Sequence, residues 1–185
     1  TLIVIGPTTC FESWETEFPK TIGRKPNFAV LAGGKKDLRK SKYKIQNKSE
    51  RPELFITSFQ TLMNDQDDVV SLLQNPDIKS FVVIDEAHYI KRLNGRWSSA
   101  AMRLADDSDY RCVLTGTPLP KSYSDFYNLF EFLWPNNQPI SRNTKILIDT
   151  IDINDTSARV NTAFENEIGP LHFRVRKSDL GLAEQ

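Results

Sequence analysis

The sequence predicts an α/β protein, a three-layer α/β/α sandwich around a mostly parallel sheet. Short apolar runs recur along the chain, each the length of one buried strand. They span residues 2–5, 27–31, 54–56, 81–84 and 112–114. Segments with helical periodicity separate several of them. At 185 residues the chain can bury a core, and 39% hydrophobic with 26% charged residues excludes a disordered protein.

The first strand, Leu2–Ile5, leads through Gly6 and Pro7 into a predicted helix. Thr9 and Glu12 have the spacing of a capping box, which places the helix start at Thr9. Phe11, Trp14 and Phe18 share one face of this helix, and Pro19 is predicted to end it.

Positive charge is concentrated in residues 20–51, which carry eleven Lys or Arg residues against Asp37 and Glu50. The whole chain is neutral, so this stretch predicts one face for a polyanion. An ordinary solvated polar face is the alternative interpretation. The densest part of this stretch is the run from Lys35 to Lys48, and the candidates for phosphate contact at its start are Lys35, Lys36, Arg39 and Lys40.

A membrane span, a disulfide and a zinc site are all disfavoured by the sequence. No apolar run approaches the roughly 18 residues that a membrane span needs, and Leu2–Ile5 lacks the basic region of a signal peptide. The two cysteines are far apart, and two histidines cannot complete a zinc site. The expected metal is therefore Mg²⁺ on oxygen ligands.

Later segments are less uniform. Residues 67–74 predict a short amphipathic helix, and Trp97 to Ala105 another. Ser122 and Asp125 have capping-box spacing before a helix that carries an aromatic stripe to Leu133. Residues 136–155 have no clean period.

The chain is organised around the apolar strand Phe81–Ile84, which ends in Asp85 and Glu86. Ligands of open parallel sheets bind beyond the carboxyl ends of the strands. An apolar strand followed by Asp is the Walker B arrangement, in which the Asp holds the Mg²⁺ that bridges nucleotide phosphates. The following Glu is placed to orient or deprotonate the attacking water. The alternative is a solvated Asp-Glu pair that caps the next turn.

Two short strings identify a family. Asp85-Glu86-Ala87-His88 follows the central strand, and Leu114-Thr115-Gly116-Thr117-Pro118 closes the next strand. In this order they resemble motifs II and III of superfamily-two helicases, and the T-G-T-P form resembles the Swi/Snf family of DNA-dependent ATPases.

This resemblance implies that residues 1–185 form a single RecA-like ATPase lobe. It implies ATP and Mg²⁺ as cofactors, and double-stranded DNA and a second RecA-like lobe of the same chain as partners. Asp85 would hold Mg²⁺, and both Asp85 and Glu86 would serve catalysis and nucleotide binding. The residues that would link the nucleotide to the DNA surface are His88, Thr115, Gly116 and Thr117.

Other segments resemble the family less closely. Gly6-Pro7-Thr8-Thr9 resembles motif Ia, which implies that Thr8 and Thr9 contact the DNA backbone; a plain helix cap is the alternative for Thr9. Residues 54–62 resemble an I-T-S-Y-E-T-L block, with Thr57 and Ser58 as candidate backbone contacts or local turn formers. Near the end of the chain, 173–180 resembles an L-R-R-T-K-K-D-L segment, but Val175 departs from it.

Two parts of the family's ATPase, the Walker A sequence and the second lobe, are expected to be missing from this sequence. No G-x-x-x-x-G-K-[ST] pattern occurs in it. The expectation is a fragment cut before motif Ia, without Walker A, and before the second lobe, and therefore inactive alone.

Other readings stay open. These are a lobe of another superfamily-two helicase or restriction motor, and a non-catalytic nucleic-acid-binding domain of the same fold. The resemblance leaves room for a protein substrate on the DNA. A nuclear location is expected for a eukaryotic source and a cytoplasmic one for a bacterial or phage source, without secretion or a membrane partner.

Overall fold

The computed structural model describes residues 1–91, 95–116, 125–137 and 139–150, with isolated positions between 162 and 179. The strands are β1 (Leu2–Ile5), β2 (Phe28–Leu31), β3 (Leu54–Thr57), β4 (Phe81–Ile84) and β5 (Tyr110–Val113). The helices are α1 (Phe11–Ile22), α2 (Lys36–Tyr43), α3 (Phe59–Leu73), α4 (Arg96–Ala105), α5 (Asp125–Leu133) and α6 (Arg142–Thr150). Short 3₁₀ helices lie at Thr8–Cys10, Ala87–Ile90 and Gly169–Leu171.

All five strands are parallel and lie in the order β2-β3-β1-β4-β5. Their register is aligned, since Ile5 lies opposite both Thr57 and Ile84. The carboxyl ends of the strands therefore meet at one edge. The predicted α/β architecture with a parallel sheet is confirmed.

The sheet is covered by helices on both faces. Ile3 and Ile5 belong to the larger core cluster, which includes residues of α3, α4 and α5. Val4, between them in the strand, belongs to the opposite cluster, where Phe11, Trp14 and Phe18 of α1 pack. Neighbouring residues of a strand point to opposite faces. This two-sided burial explains why the strands are near-continuous apolar runs.

Helix α1 differs from its prediction at both ends. It begins at Phe11, its N-cap is Cys10, and no side chain caps it, because the chain enters through the 3₁₀ turn at Thr8–Cys10. The Thr9 capping box was therefore wrong. The helix also continues past Pro19 to Ile22 and ends at Gly23, whose φ of 69° closes it. Pro19 has no backbone N–H, so one intrahelical hydrogen bond is missing at the start of the last turn.

Two further helices extend the sequence analysis. Helix α3 starts at Phe59 rather than near residue 67, because Ser58 caps it and its first turns bury Phe59 and Leu62. Helix α6 lies in the stretch without clean periodicity, and its Ile148 packs with Phe130 and Ile140 in a small separate cluster.

Ser122 of the second predicted capping box lies outside the described residues. Within the described part of the chain, no helix combines the length and hydropathy needed to cross a bilayer.

Candidate active site

The predicted site lies at the carboxyl edge of the sheet, where backbone hydrogen bonds join the strand ends. The amide of Asp85 donates to Ile5 O at 2.8 Å, and that of Leu114 donates to Ile84 O at 2.8 Å. The amide of Ala87 donates in turn to Leu114 O at 2.8 Å. The segments that follow β4 and β5 are therefore brought together.

Asp85 is half-buried, and among the described residues one N–H group donates to each of its carboxylate oxygens. Trp14 Nε1 donates to Oδ2 at 2.8 Å, and the Glu86 amide donates to Oδ1 at 2.8 Å. Gly6 passes close behind, where an added Cβ would lie 3.2 Å from Asp85 Cβ. A side chain at residue 6 would therefore press on the Asp85 side chain.

Glu86 turns the chain sharply after the strand. Its backbone has φ 50° and ψ 49°, the left-handed conformation that few non-glycine residues adopt. Its Oε2 lies 3.0 Å from His88 Nδ1, although no hydrogen-bond geometry joins the two atoms. Both side chains are 36% exposed, so the Glu86 carboxylate remains accessible to solvent. Such local strain is typical of functional positions.

The donor set at this edge fits Mg²⁺. An ionised carboxylate has about four lone-pair sites, and Asp85 uses two of them for neutral N–H donors, with the neutral Cys10 thiol also beside it. No salt bridge to Asp85 occurs among the described residues, so its charge remains for a cation. Mg²⁺ typically takes one or two protein carboxylates and fills its other positions with phosphate and water. One carboxylate with free lone pairs meets that requirement.

Cys10 adds no second anion beside Asp85. Burial raises the pKa of the Cys10 thiol, and the negative charge of Asp85 acts in the same direction. The thiol therefore stays protonated at neutral pH. Across the described residues, no three His, Cys, Asp or Glu side chains gather as a metal cluster.

The structure describes three of the four residues that are predicted to link the nucleotide to the DNA surface. His88 lies on the 3₁₀ helix after Glu86, with its ring centroid 4.3 Å from that of Tyr89. Thr115 is half-buried and Gly116 is exposed, directly after β5. Thr117 lies outside the described residues.

Four of the predicted nucleic-acid contacts are exposed near the same edge. Thr8 and Thr9 lie on the turn after β1. Lys35 and Lys36 follow β2, where Lys36 begins α2. Lys40 is half-buried, with its Nζ 3.7 Å from Asp68 Oδ1. These positions are compatible with a polyanion at this edge.

Two predicted contacts are buried, and these predictions were wrong. Arg39 forms a two-bond ion pair with Asp65, at 2.6 Å (Nε to Oδ2) and 3.0 Å (Nη2 to Oδ1). Its Nη1 also donates to the carbonyls of Gly33 and Gly34. Thr57 is 1% exposed and donates to Leu31 O at 3.1 Å. Their polar atoms are engaged inside the protein.

Ser58 has the local role that the sequence left open. Its Oγ accepts a hydrogen bond from the Thr61 amide at 3.1 Å, which caps α3.

Sequence reasoning missed the contact of Trp14 with Asp85 and the close approach of Gly6. Trp14 was assigned only to packing. The one available signal was its indole N–H, which needs an acceptor when it is buried.

The SNF2-related domain family model matches residues 1–180. The chain belongs to this family. It is 35% identical over 137 residues to the helicase SWR1 of Mycosarcoma maydis, covering 72% of this chain and 7% of that protein. The corresponding figures for the helicase SWR1 of Saccharomyces cerevisiae are 32% over 135 residues, 72% and 8%. The chain thus spans less than a tenth of these curated relatives.

The fold agrees with a solved member of the SNF2 family. The Sulfolobus solfataricus SWI2/SNF2 ATPase core in complex with dsDNA superposes with a TM-score of 0.69 at 25% identity. The match covers 97% of this chain and 34% of that one. The predicted RecA-like, Swi/Snf-type first lobe is therefore confirmed.

Proposed function

We propose that this chain is the first lobe of an ATP-driven translocase on double-stranded DNA. The observation that carries the proposal is the position of Asp85 and Glu86 at the carboxyl end of β4, tied by Ala87 to the segment after β5. The family's helicases and ATPase core support ATP as the nucleotide. The proposed activity is that of a longer protein in which this chain would be one part, since the chain spans 7% of an SWR1 relative.

Asp85 and Glu86 would have separate roles in ATP hydrolysis. Asp85 would hold Mg²⁺, which neutralises charge on the phosphates when it is bound. Glu86 would orient and deprotonate the attacking water, since its carboxylate is accessible next to Asp85. The two N–H groups that donate to Asp85 would hold its carboxylate in place for the metal.

The DNA-binding part of the proposal is narrower than the sequence prediction. Thr8, Thr9, Lys35 and Lys36 would contact backbone phosphates, because they are exposed at the site edge. His88, Thr115, Gly116 and Thr117 would connect this surface with the nucleotide. The dsDNA in the Sulfolobus neighbour supports duplex DNA as the partner.

The remaining partners follow from the same proposal. A second RecA-like lobe would close over the nucleotide, and a protein bound to the DNA would be the object moved. The curated SWR1 relatives are fungal and lend no support to a bacterial or phage source. A DNA-dependent enzyme of a eukaryotic cell would act in the nucleus.

The test is the ATPase rate of the longer protein that contains this chain, with duplex DNA, single-stranded DNA, RNA or no nucleic acid. We expect stimulation by duplex DNA and a loss of about 100-fold or more in Glu86→Gln, the usual size of a general-base contribution. The matched control is Glu53→Gln, an exposed carboxylate before β3 that pairs with Arg24.

Each other result has a defined meaning. Stimulation by RNA or single strands would favour another superfamily-two helicase. DNA binding without turnover under any condition would favour a non-catalytic domain. Equal turnover in Glu86→Gln and wild type would remove Glu86 from the mechanism.

A further inference from the structure

Trp14 makes a contact that packing does not require. Its indole N–H donates to Asp85 Oδ2 at 2.8 Å, across 71 residues of sequence and in a half-buried setting. Trp14 lies on α1, one helical turn after the 3₁₀ turn that carries Thr8 and Thr9. A residue of the first helix thus contacts the carboxylate at the end of the central strand.

The indole is held firmly enough to act as a fixed donor. Trp14 packs in the cluster of Val4, Phe11, Leu54, Ile56 and Val83, with Phe18 beside it. Trp14 is partly buried there, and turning its ring away would give up this apolar contact. Because Trp offers a donor and no acceptor, its N–H can serve only an oxygen such as that of Asp85.

The type of donor also suits a metal ligand. A Lys or Arg in the same place would neutralise the carboxylate and compete with a cation. The indole N–H is neutral, so it orients Asp85 and leaves the negative charge for Mg²⁺. The Glu86 amide holds the other oxygen in the same way, at 2.8 Å. Hydrogen bonds of this kind to metal-binding carboxylates fix their orientation.

Close packing behind Asp85 makes its orientation sensitive. An added Cβ at Gly6 would lie 3.2 Å from Asp85 Cβ, so a larger residue at position 6 would press on the Asp85 side chain. Trp14 and the Glu86 amide then determine which lone pairs remain free. If one donor is removed, the side chain can take other rotamers, and the metal must select the correct one.

We propose that Trp14 is a positioning residue for Asp85, whose indole N–H sets the carboxylate for Mg²⁺ binding. This inference rests on the proposed role of Asp85 as the metal ligand. Trp14 itself contacts neither the metal nor the nucleotide. Its loss should therefore weaken metal binding without abolishing turnover once the metal is saturating.

The test is a titration of the longer protein with Mn²⁺ in the presence of ADP, followed by electron paramagnetic resonance. Mn²⁺ takes the same oxygen ligands as Mg²⁺. We expect the Mn²⁺ Kd to rise about 10- to 100-fold in Trp14→Phe, the usual cost of losing such a partner. A second variant replaces Trp14 by β-(3-benzothienyl)alanine, which keeps the bicyclic shape and exchanges the N–H for sulfur.

The matched control is Trp134→Phe, because Trp134 stacks on Phe130 at 5.7 Å in a separate cluster. Its Mn²⁺ Kd should not change. In ATPase assays, the Mg²⁺ concentration for half-maximal rate should rise in both Trp14 variants, whereas kcat at saturating Mg²⁺ should recover to within about threefold of wild type.

Asp85→Asn separates failure of this inference from failure of the proposed function. If Asp85→Asn binds Mn²⁺ as wild type does, Asp85 is not the ligand, and the proposed site is wrong. If Asp85→Asn loses binding but the benzothienyl variant keeps the wild-type Kd, only the role of Trp14 is overturned. Loss of Mn²⁺ affinity in the benzothienyl variant supports the role of the N–H even if Trp14→Phe fails to fold.

Discussion

Arg39 and Asp65 form the buried ion pair of the described core, with side chains 10% and 1% exposed. Removing one partner leaves an uncompensated buried charge, which costs about 3–5 kcal/mol. We therefore predict that Arg39→Met lowers the free energy of unfolding by about that amount. Arg39→Met combined with Asp65→Leu should cost less than the two single changes added together. Urea unfolding at constant m-value measures both quantities.

The control for this prediction is Lys20→Met, which breaks a surface pair with Glu17 whose side chains are 68% and 66% exposed. Such pairs contribute about 0–1 kcal/mol. A cost of Arg39→Met no larger than that of Lys20→Met would contradict the internal role assigned to Arg39.

The positions of single residues were predicted well where they depend on strand ends, and their contacts were predicted poorly where these depend on distant partners. Asp85 and Glu86 follow directly from an apolar strand that stops at two carboxylates. Arg39 belonged to a basic run, and nothing local distinguished it from Lys36, because its partner lies 26 residues away. The acceptor of Trp14 is 71 residues away, so the helical pattern showed only its apolar face.

At the scale of elements, the start of α2 is an exposed part of the basic stretch that lies at the carboxyl edge of the sheet, beside the candidate site. Lys35 and Lys36 are exposed there. They directly follow Gly33 and Gly34, whose carbonyl oxygens accept hydrogen bonds from Arg39. Each lysine on a phosphate changes the slope of log affinity against log salt by about 1. We predict that Lys35→Ala with Lys36→Ala reduces this slope by about 2, measured by anisotropy with duplex DNA.

The matched control removes the same charge from the opposite edge of the sheet. Lys25 precedes β2 and Lys79 precedes β4, and both are exposed. Lys25→Ala with Lys79→Ala should leave the salt slope unchanged. Equal effects of the two double variants would mean that net charge, and not the α2 start, governs binding.

The predicted ends of helices were wrong where tertiary packing overrides a local sequence rule. Pro19 is a helix breaker in isolation, yet α1 runs to Ile22, since Phe18 packs against the sheet and the missing N–H of Pro19 costs one hydrogen bond. The length of α3 was underestimated because Ser58 caps a turn whose apolar residues are buried below it.

For the whole molecule, the location of the site could be predicted without knowing the strand order. In a parallel sheet every carboxyl end lies at the same edge, so the segments after β1, β4 and β5 were expected at that edge whichever strands were neighbours. The observed order places these three segments side by side, since β4 lies between β1 and β5. The family resemblance added the roles, which parallel geometry alone does not assign.

The last prediction concerns the 185-residue chain by itself. Its sequence contains no G-x-x-x-x-G-K-[ST] pattern to cradle phosphates. Because catalysis of phosphoryl transfer consists almost wholly of positioning and charge neutralisation, Asp85 and Glu86 alone should give no measurable steady-state turnover. The purified chain and its Glu86→Gln variant should therefore show the same background phosphate release, with duplex DNA present or absent. Turnover that Glu86→Gln abolishes would mean that this chain provides a phosphate cradle of another kind.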